Sequence, residues 1–390
     1  MNSWRELARL PRRIWILSAA ALINRAGTMA LPFLTLYLIK AIGMTPARAG
    51  ATLGLYGAVA FFAGPASGRL CDRFGAGPMM LGSLTLSGLS MLAFPFAKSE
   101  AAVAAMTVIW ALTTEGFRPA VMTAISESAP PELRKQAYAL NRLAVNVGMS
   151  LGPAVGGFLA AVSFPAIWLV DGATSLVAAA VLWRALPPAP KTAAEAEDAA
   201  LSVQGLRDPR LRFFLLAALP VSVVFFQHEG ALPVHLVRDL GLSPSFYGLL
   251  FTINTAIIVA LEVPLNHATA AWSNRRILSL GSALFAAGFG AYGLASRPWH
   301  IGAATVVWTF GEMILMPAMT AYVSEISPAG RRGEYMGLYM MGFSLSFMIG
   351  PWAGLYALDR WGAGTLWGLC FGVGMVSAAL YSRMPRGRAG

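Results

Sequence analysis

Apolar runs of about twenty residues or more follow one another along almost the whole chain, and the segments between them are short and carry most of its Lys and Arg. A bilayer core of about 30 Å is crossed by roughly 20 helical residues at 1.5 Å each. Within it only helices or closed barrels pair every backbone N–H and C=O, and the runs are too long for barrel strands. Helical spans are therefore expected near 14–40, 46–68, 76–97, 101–127, 136–160 and 164–186, then near 211–237, 244–268, 276–296, 299–325, 334–357 and 362–383. Composition supports lipid as the outer solvent. The chain is 57% apolar and 12% charged, against roughly 45–50% and about 25% in soluble domains, which leaves too little charge to coat a water-facing exterior.

The first run follows Arg5, Arg9, Arg12 and Arg13 as a secretory leader would, but it continues to Lys40 without a clear small-x-small cleavage site. That length marks a first span. The net charge of +11 could suggest nucleic acid, yet the basic residues sit in clusters between apolar runs, so no nucleic-acid partner is expected. With the N-terminus placed in the cytoplasm, 20 of the 29 Lys and Arg fall in cytoplasmic segments, six in outer loops and three inside spans. This positive-inside bias puts both termini in the cytoplasm of a cell inner (plasma) membrane. Cys71 and Cys370 form no framework, and the four histidines match no zinc spacing, so neither metal nor cofactor is expected.

The one sizeable hydrophilic stretch, 187–209, has the prolines and mixed charges of a linker. It separates residues 1–186 from residues 210–390, six spans each. The halves repeat at an offset of 198: Gly43, Pro46 and Gly50 match Gly241, Pro244 and Gly248. Pro119, Ser126, Glu127, Pro130 and Arg134 match Pro317, Ser324, Glu325, Pro328 and Arg332, while Gly152, Pro153 and Gly156 match Gly350, Pro351 and Gly354. A duplicated six-helix unit is the architecture of a carrier that rocks about a site between its repeats. The expected fold is thus an all-α membrane protein of twelve helices in two pseudo-symmetric six-helix bundles.

After the second span stands Gly68-Arg69-Leu70-Cys71-Asp72-Arg73-Phe74-Gly75. The fifth span carries Gly148-x-x-x-Gly152-Pro153-x-x-Gly156-Gly157. Together, in these places of a duplicated chain, the two segments resemble the signatures of the major facilitator superfamily across essentially the whole length. The first is similar to its G-x-L-x-D-R-x-G loop, although Ala76, Gly77 and Pro78 replace the usual basic tail. The second resembles the motif of the drug:proton antiporter branch, whose usual early Arg in the fourth span is absent here. The resemblance implies that Gly68, Asp72, Arg73 and Gly75 belong to a cytoplasmic gate, with Asp72 as an acidic anchor; a simple helix cap is the alternative. The glycines of the fifth span would admit a close neighbour and Pro153 a bend, either as plain packing or as a gate.

No nucleotide, nucleophile or metal signature appears, so work must draw on a gradient. Ionisable groups at bilayer depth cost several kcal/mol unless paired or hydrated, which makes each a functional candidate. Arg25 lies in the first span with Asn24 and Thr28; Glu115 and Arg118 lie in the fourth, three apart and so expected on one face. The seventh span holds Gln227, His228 and Glu229, and the tenth holds Glu312. Arg142 and Glu262 fall toward the inner ends, where gate ion pairs are expected, and Asp171 reads as structural. Phe225, Phe226, Met313 and Met316 would line a cavity that Glu229 and Glu312 faced.

These features fit proton-coupled export of small amphiphilic or drug-like molecules by alternating access, with a bilayer, a small-molecule substrate and protons as partners and one chain sufficing. Glu115 or Glu229 would take a proton in one state and release it when Arg25 or Arg118 becomes available. The division of charge, with buried arginines in one half and carboxylates in the other, supports the alternative, proton symport of a zwitterion such as a peptide or amino acid. A transporter-like sensor or intramembrane enzyme is the reading from another class. His228-Glu229 begins a zinc motif, but Leu232 stands where its second His belongs.

Overall fold

The computed structural model describes residues 9–130, 133–185, 204–269, 271–328 and 331–384, and among them regular structure is helical throughout. The first half comprises α1 (Arg12–Gly27), α2 (Ala30–Lys40), α3 (Pro46–Phe74), α4 (Ala76–Ala93), α5 (Glu100–Thr114), α6 (Phe117–Ser128), α7 (Arg134–Val162) and α8 (Phe164–Ala185). The second comprises α9 (Pro209–Phe225), α10 (Ala231–Val234), α11 (Pro244–Thr269), α12 (Asn274–Ala291), α13 (Pro298–Ile326) and α14 (Arg332–Ser382). Each expected span is helical. Among the described residues nine stretches have the length and apolar character to cross a bilayer. The longest, Gly333–Ser382, is interrupted at Gly362, where φ is 82°. Phe62, Trp183 and Leu216 are 73%, 71% and 67% exposed, large apolar side chains turned outward as lipid-facing residues are.

Two compact units result: Met1–Gly43 with Ala58–Asp198, and Met44–Gly57 with Ala199–Gly390. The first packs Ile14 and Leu17 of α1 with Leu84 of α4, Ala124 of α6 and Ala178 and Leu182 of α8, all buried. The alanines let the helices approach closely. The second buries Phe214, Phe285, Phe289, Met319, Leu355 and Trp367. It includes the first part of α3: a Cβ on Gly50, Gly54 or Gly57 would come within 2.9 Å of α14 backbone at Trp352 or Met348.

The repeat is visible residue by residue. Gly43 and Gly241 both have positive φ, 83° and 66°, which a side chain would strain. The hydroxyls of Thr45 and Ser243 then accept from the N–H groups of Arg48 and Phe246, starting α3 and α11 alike. Phe94 stacks on Trp168 at 3.7 Å, beside Tyr37 and Trp110. The second unit answers with Tyr292, Trp367, His235 and Trp308, whose indole N–H donates to Tyr292 Oη at 2.7 Å.

Of the expected linker, 187–203 lies outside the described residues. Gln204–Arg207 forms a 3₁₀ turn bound to the start of α14, where Gly205 N–H donates to Glu334 Oε1 at 2.6 Å and Arg331 Nε donates to Glu334 Oε2 at 2.8 Å. Asp208 caps α9 and accepts from Tyr335 Oη at 3.1 Å. Partial burial favours its neutral form, but hydrogen bonds from Arg210 and Tyr335 outweigh this and hold the carboxyl below its ordinary range.

Candidate functional site

The first span is broken. Thr28 N–H closes α1 on Arg25 O at 3.1 Å, and the N–H groups of Met29 and Ala30, which begin α2, donate to Asp171 Oδ2 at 3.1 and 3.0 Å. Helix starts leave such donors unsatisfied, and lipid offers no substitute. The glycines of the fifth span seat this break. A Cβ on Gly148 would lie 2.6 Å from Arg25 Cβ, one on Gly152 2.7 Å from Thr28 O, and one on Gly156 2.7 Å from Met29 Cβ. Gly157 is buried beside them and Pro153 sits inside a continuous α7. On the other flank Asn24 Nδ2 donates to Ser175 Oγ at 3.2 Å, and Gly27 abuts the Thr174 hydroxyl.

The fourth span is also broken, at Glu115–Gly116, between α5 and α6. Ser83 of α4 donates to the freed carbonyl of Thr113 at 2.5 Å, and a Cβ on Gly116 would meet Met79 Cε at 2.8 Å. The expected fourth span is thus two helices, with Glu115 in the break and Arg118 in the first turn of α6. Glu115 and Gly116 keep right-handed helical dihedrals, and Glu115 is half-buried and Arg118 exposed. Arg25 and Arg118 both act electrostatically on Glu115, so the structure gathers these three.

In the second unit the seventh span breaks between Phe225 and Ala231. Gln227, buried, donates from Nε2 to Val223 O at 3.0 Å and Gly350 O at 2.8 Å, and Gly354 lies flat on its amide. Gly350 and Gly354 thus stand to this break as Gly152 and Gly156 stand to the first. His228 Nδ1 is 2.6 Å from Phe225 O and Nε2 is 3.6 Å from Glu229 Oε1. The ring lies among Phe225, Phe251 and Trp308. Tyr247 Oη donates to His228 O at 2.8 Å. Asn254 Nδ2 donates to Glu312 Oε2 at 2.8 Å and Thr309 Oγ1 at 3.0 Å, and Glu262 lies within electrostatic range of Glu312. The two carboxyls repel each other when both are charged, so Glu262 bears on Glu312 as well as being a gate candidate. Phe226 and Met313 are buried, Phe225 and Met316 half-buried.

The gate segment departs from expectation. Residues 68–74 are not a loop but the last turns of α3, and only Gly75, at φ 89°, leaves the helix to start α4. The Arg73 guanidinium lies 5.4 Å from the Phe74 ring centre. Gly68 has open space where a Cβ would stand, and the side chain of Asp72 is outside those described. Arg142 is exposed on α7. Sequence alone singles out none of Ser83, Ser175 and Asn254; their only signal is a polar side chain in the middle of an apolar run.

Two pseudo-symmetric helix breaks seated on glycine-bearing helices now stand beside a sequence match: the Major Facilitator Superfamily profile covers residues 15–237 and 228–389. The chain belongs to the major facilitator superfamily. It is an integral membrane transporter of small molecules. One relative is the uncharacterized MFS-type transporter YqjV of Bacillus subtilis (strain 168), 25% identical over 373 residues and spanning 93% of this chain and 90% of that one. Multidrug resistance protein MdtH of Edwardsiella ictaluri (strain 93-146) is 24% identical over 386 residues, 96% of this chain and 94% of that one. A Na(+), Li(+), K(+)/H(+) antiporter of Planococcus maritimus is 22% identical over 364 residues, 84% and 85% of the two chains. Among solved structures, that of peptide transporter POT in complex with sulfate superposes with a TM-score of 0.78 at 16% identity, covering 99% of this chain and all (100%) of that one. Membership of this family places the chain with transporters rather than with enzymes.

Proposed function

We propose that this transporter exports small amphiphilic, cationic molecules in exchange for protons by alternating access, as a single chain with both termini in the cytoplasm. The pair His228–Glu229 carries the reading. A carbonyl only accepts, so Nδ1 donates to Phe225 O and the neutral ring presents a lone pair at Nε2. That lone pair and a carboxylate oxygen oppose each other at 3.6 Å in a mostly buried site. One proton shared between them relieves the opposition, as neutral acid against imidazole or as carboxylate against imidazolium. A cationic substrate arriving near Glu229 replaces that proton's charge, which ties the two movements together. Relatives named as a multidrug resistance protein and as a cation/proton antiporter support the same reading.

Zwitterion symport remains the second reading, favoured by arginines in the first unit and carboxylates in the second. Against it, Arg25 and Arg118 both already act on the carboxyl of Glu115, with which a substrate carboxylate would have to compete. Proteoliposomes containing a pH-sensitive dye decide the matter. Tetraphenylphosphonium added to acid-loaded vesicles should alkalinise the lumen, and Glu229→Gln should slow this by about tenfold or more, as expected when a proton carrier is removed. Proton flow only with dipeptides, in the direction of substrate movement, would replace export with symport.

A further inference from the structure

Asp171 is the buried carboxylate that coupling at Glu115 and Glu229 leaves unused. It is 2% exposed, in the outer part of α8, and has no acidic counterpart in the repeat, where position 369 is Leu. An ionisable group held inside a span is costly to keep. This one makes two specific contacts, accepting from Met29 N–H at 3.1 Å and Ala30 N–H at 3.0 Å through the same oxygen. Those are the first donors of α2, and a negative charge at a helix start also meets the positive end of its dipole. Four residues before the first of them is Arg25, whose own carbonyl closes α1. Arg25 acts electrostatically on both Asp171 and Glu115. Its backbone is clamped from α7 by Gly148 and Gly152, and from α8 through Asn24–Ser175, Gly27 against Thr174, and the Asp171 cap.

We propose that Asp171 is a positioning residue for proton coupling: its carboxylate holds the break of the first span open and so fixes Arg25 against Glu115. Without the cap, the donors of Met29 and Ala30 lose their acceptor, the start of α2 loosens, and Arg25, four residues before it, is no longer held against Glu115. The second unit shows that a break alone does not demand a charge. The amide of Gln227 binds its seventh span across to Gly350, whereas in the first span the group that caps the break is a carboxylate on which Arg25 acts. The inference rests on proton coupling as proposed above.

The full chain in lipid nanodiscs and proteoliposomes tests it with two readouts. Hydrogen exchange of a peptide covering residues 26–33 should quicken about tenfold or more in Asp171→Ala, because its amides lose their acceptor. Proton-driven transport of tetraphenylphosphonium should fall about tenfold or more, as small displacements of catalytic groups do, while counterflow exchange of the same ion stays within about threefold because it needs no proton step. Asp171→Asn, which keeps an acceptor without the charge, should fall between and covers the case in which Asp171→Ala does not fold. Unchanged exchange in Asp171→Ala overturns the proposal. So does a parallel loss of driven transport and counterflow, which would mark a packing role. Wild-type protein that moves no protons with any substrate refutes the coupling reading and the positioning role together. Normal wild-type coupling that persists in the variants refutes the positioning role alone.

Discussion

A broken helix leaves backbone groups that lipid cannot satisfy, so the side chains that meet them matter more than their neighbours. Gln227 is such a side chain, donating to Val223 O within its own span and to Gly350 O on α14. Gln227→Leu keeps a similar volume but strands both carbonyls. About 1–3 kcal/mol of stability should be lost for each buried group left unpaired, read as a lowered melting temperature in detergent, and an unchanged value would remove Gln227 from the break. At this scale the sequence is legible where a residue type leaves no substitute. Gly152, Gly156, Gly350 and Gly354 stand out because nothing larger fits against Arg25–Met29 or against Phe226 and Gln227. Asp171 is illegible for the opposite reason. Its partners are backbone N–H groups 142 and 141 positions away, and a backbone donor leaves no mark in the sequence.

Elements divide the same way. Span positions follow from apolar length alone, and the extension of α3 through residues 68–74 was hidden only because a signature containing Gly68, Asp72 and Gly75 looks like a turn. The breaks are less visible, since long-range partners stabilise them: Ser83 for the fourth span, Asp171 for the first, Gly350 for the seventh. Pro153, the residue that most suggests a break, lies inside an unbroken α7. Helix seams give a sharper test. On α3 a Cβ at Gly57 would lie 2.8 Å from Met348 N and Cα, whereas Gly64, seven residues on, has nothing within 4 Å. Gly57→Val should therefore cost about 1–3 kcal/mol through overpacking, and Gly64→Val should leave the melting temperature nearly unchanged. Equal effects of the two substitutions would mean that the α3–α14 seam is not formed in the membrane.

For the whole molecule, duplication fixes the fold and charge fixes its direction. The two repeats are alike in their glycine turns, hydroxyl caps and aromatic clusters, so nothing in the helices themselves chooses which face meets the cytoplasm. That choice falls to the loops, where 20 of 29 basic residues lie on one side in the proposed orientation. Lys98 and Arg297, both exposed, then belong to outer turns, while Arg212 and Arg276, also exposed, belong to the cytoplasmic side. With Cys71 and Cys370 first replaced, since these buried thiols would become reactive in any unfolded protein, single cysteines at these four positions report the orientation directly. A membrane-impermeant maleimide should label Lys98→Cys and Arg297→Cys in intact cells, and Arg212→Cys and Arg276→Cys only once the membrane is opened. The reverse pattern would invert the transporter, place the linker outside and turn proposed export into uptake. A mixed pattern within one half would break the six-plus-six arrangement on which the pairing of the two helix breaks depends.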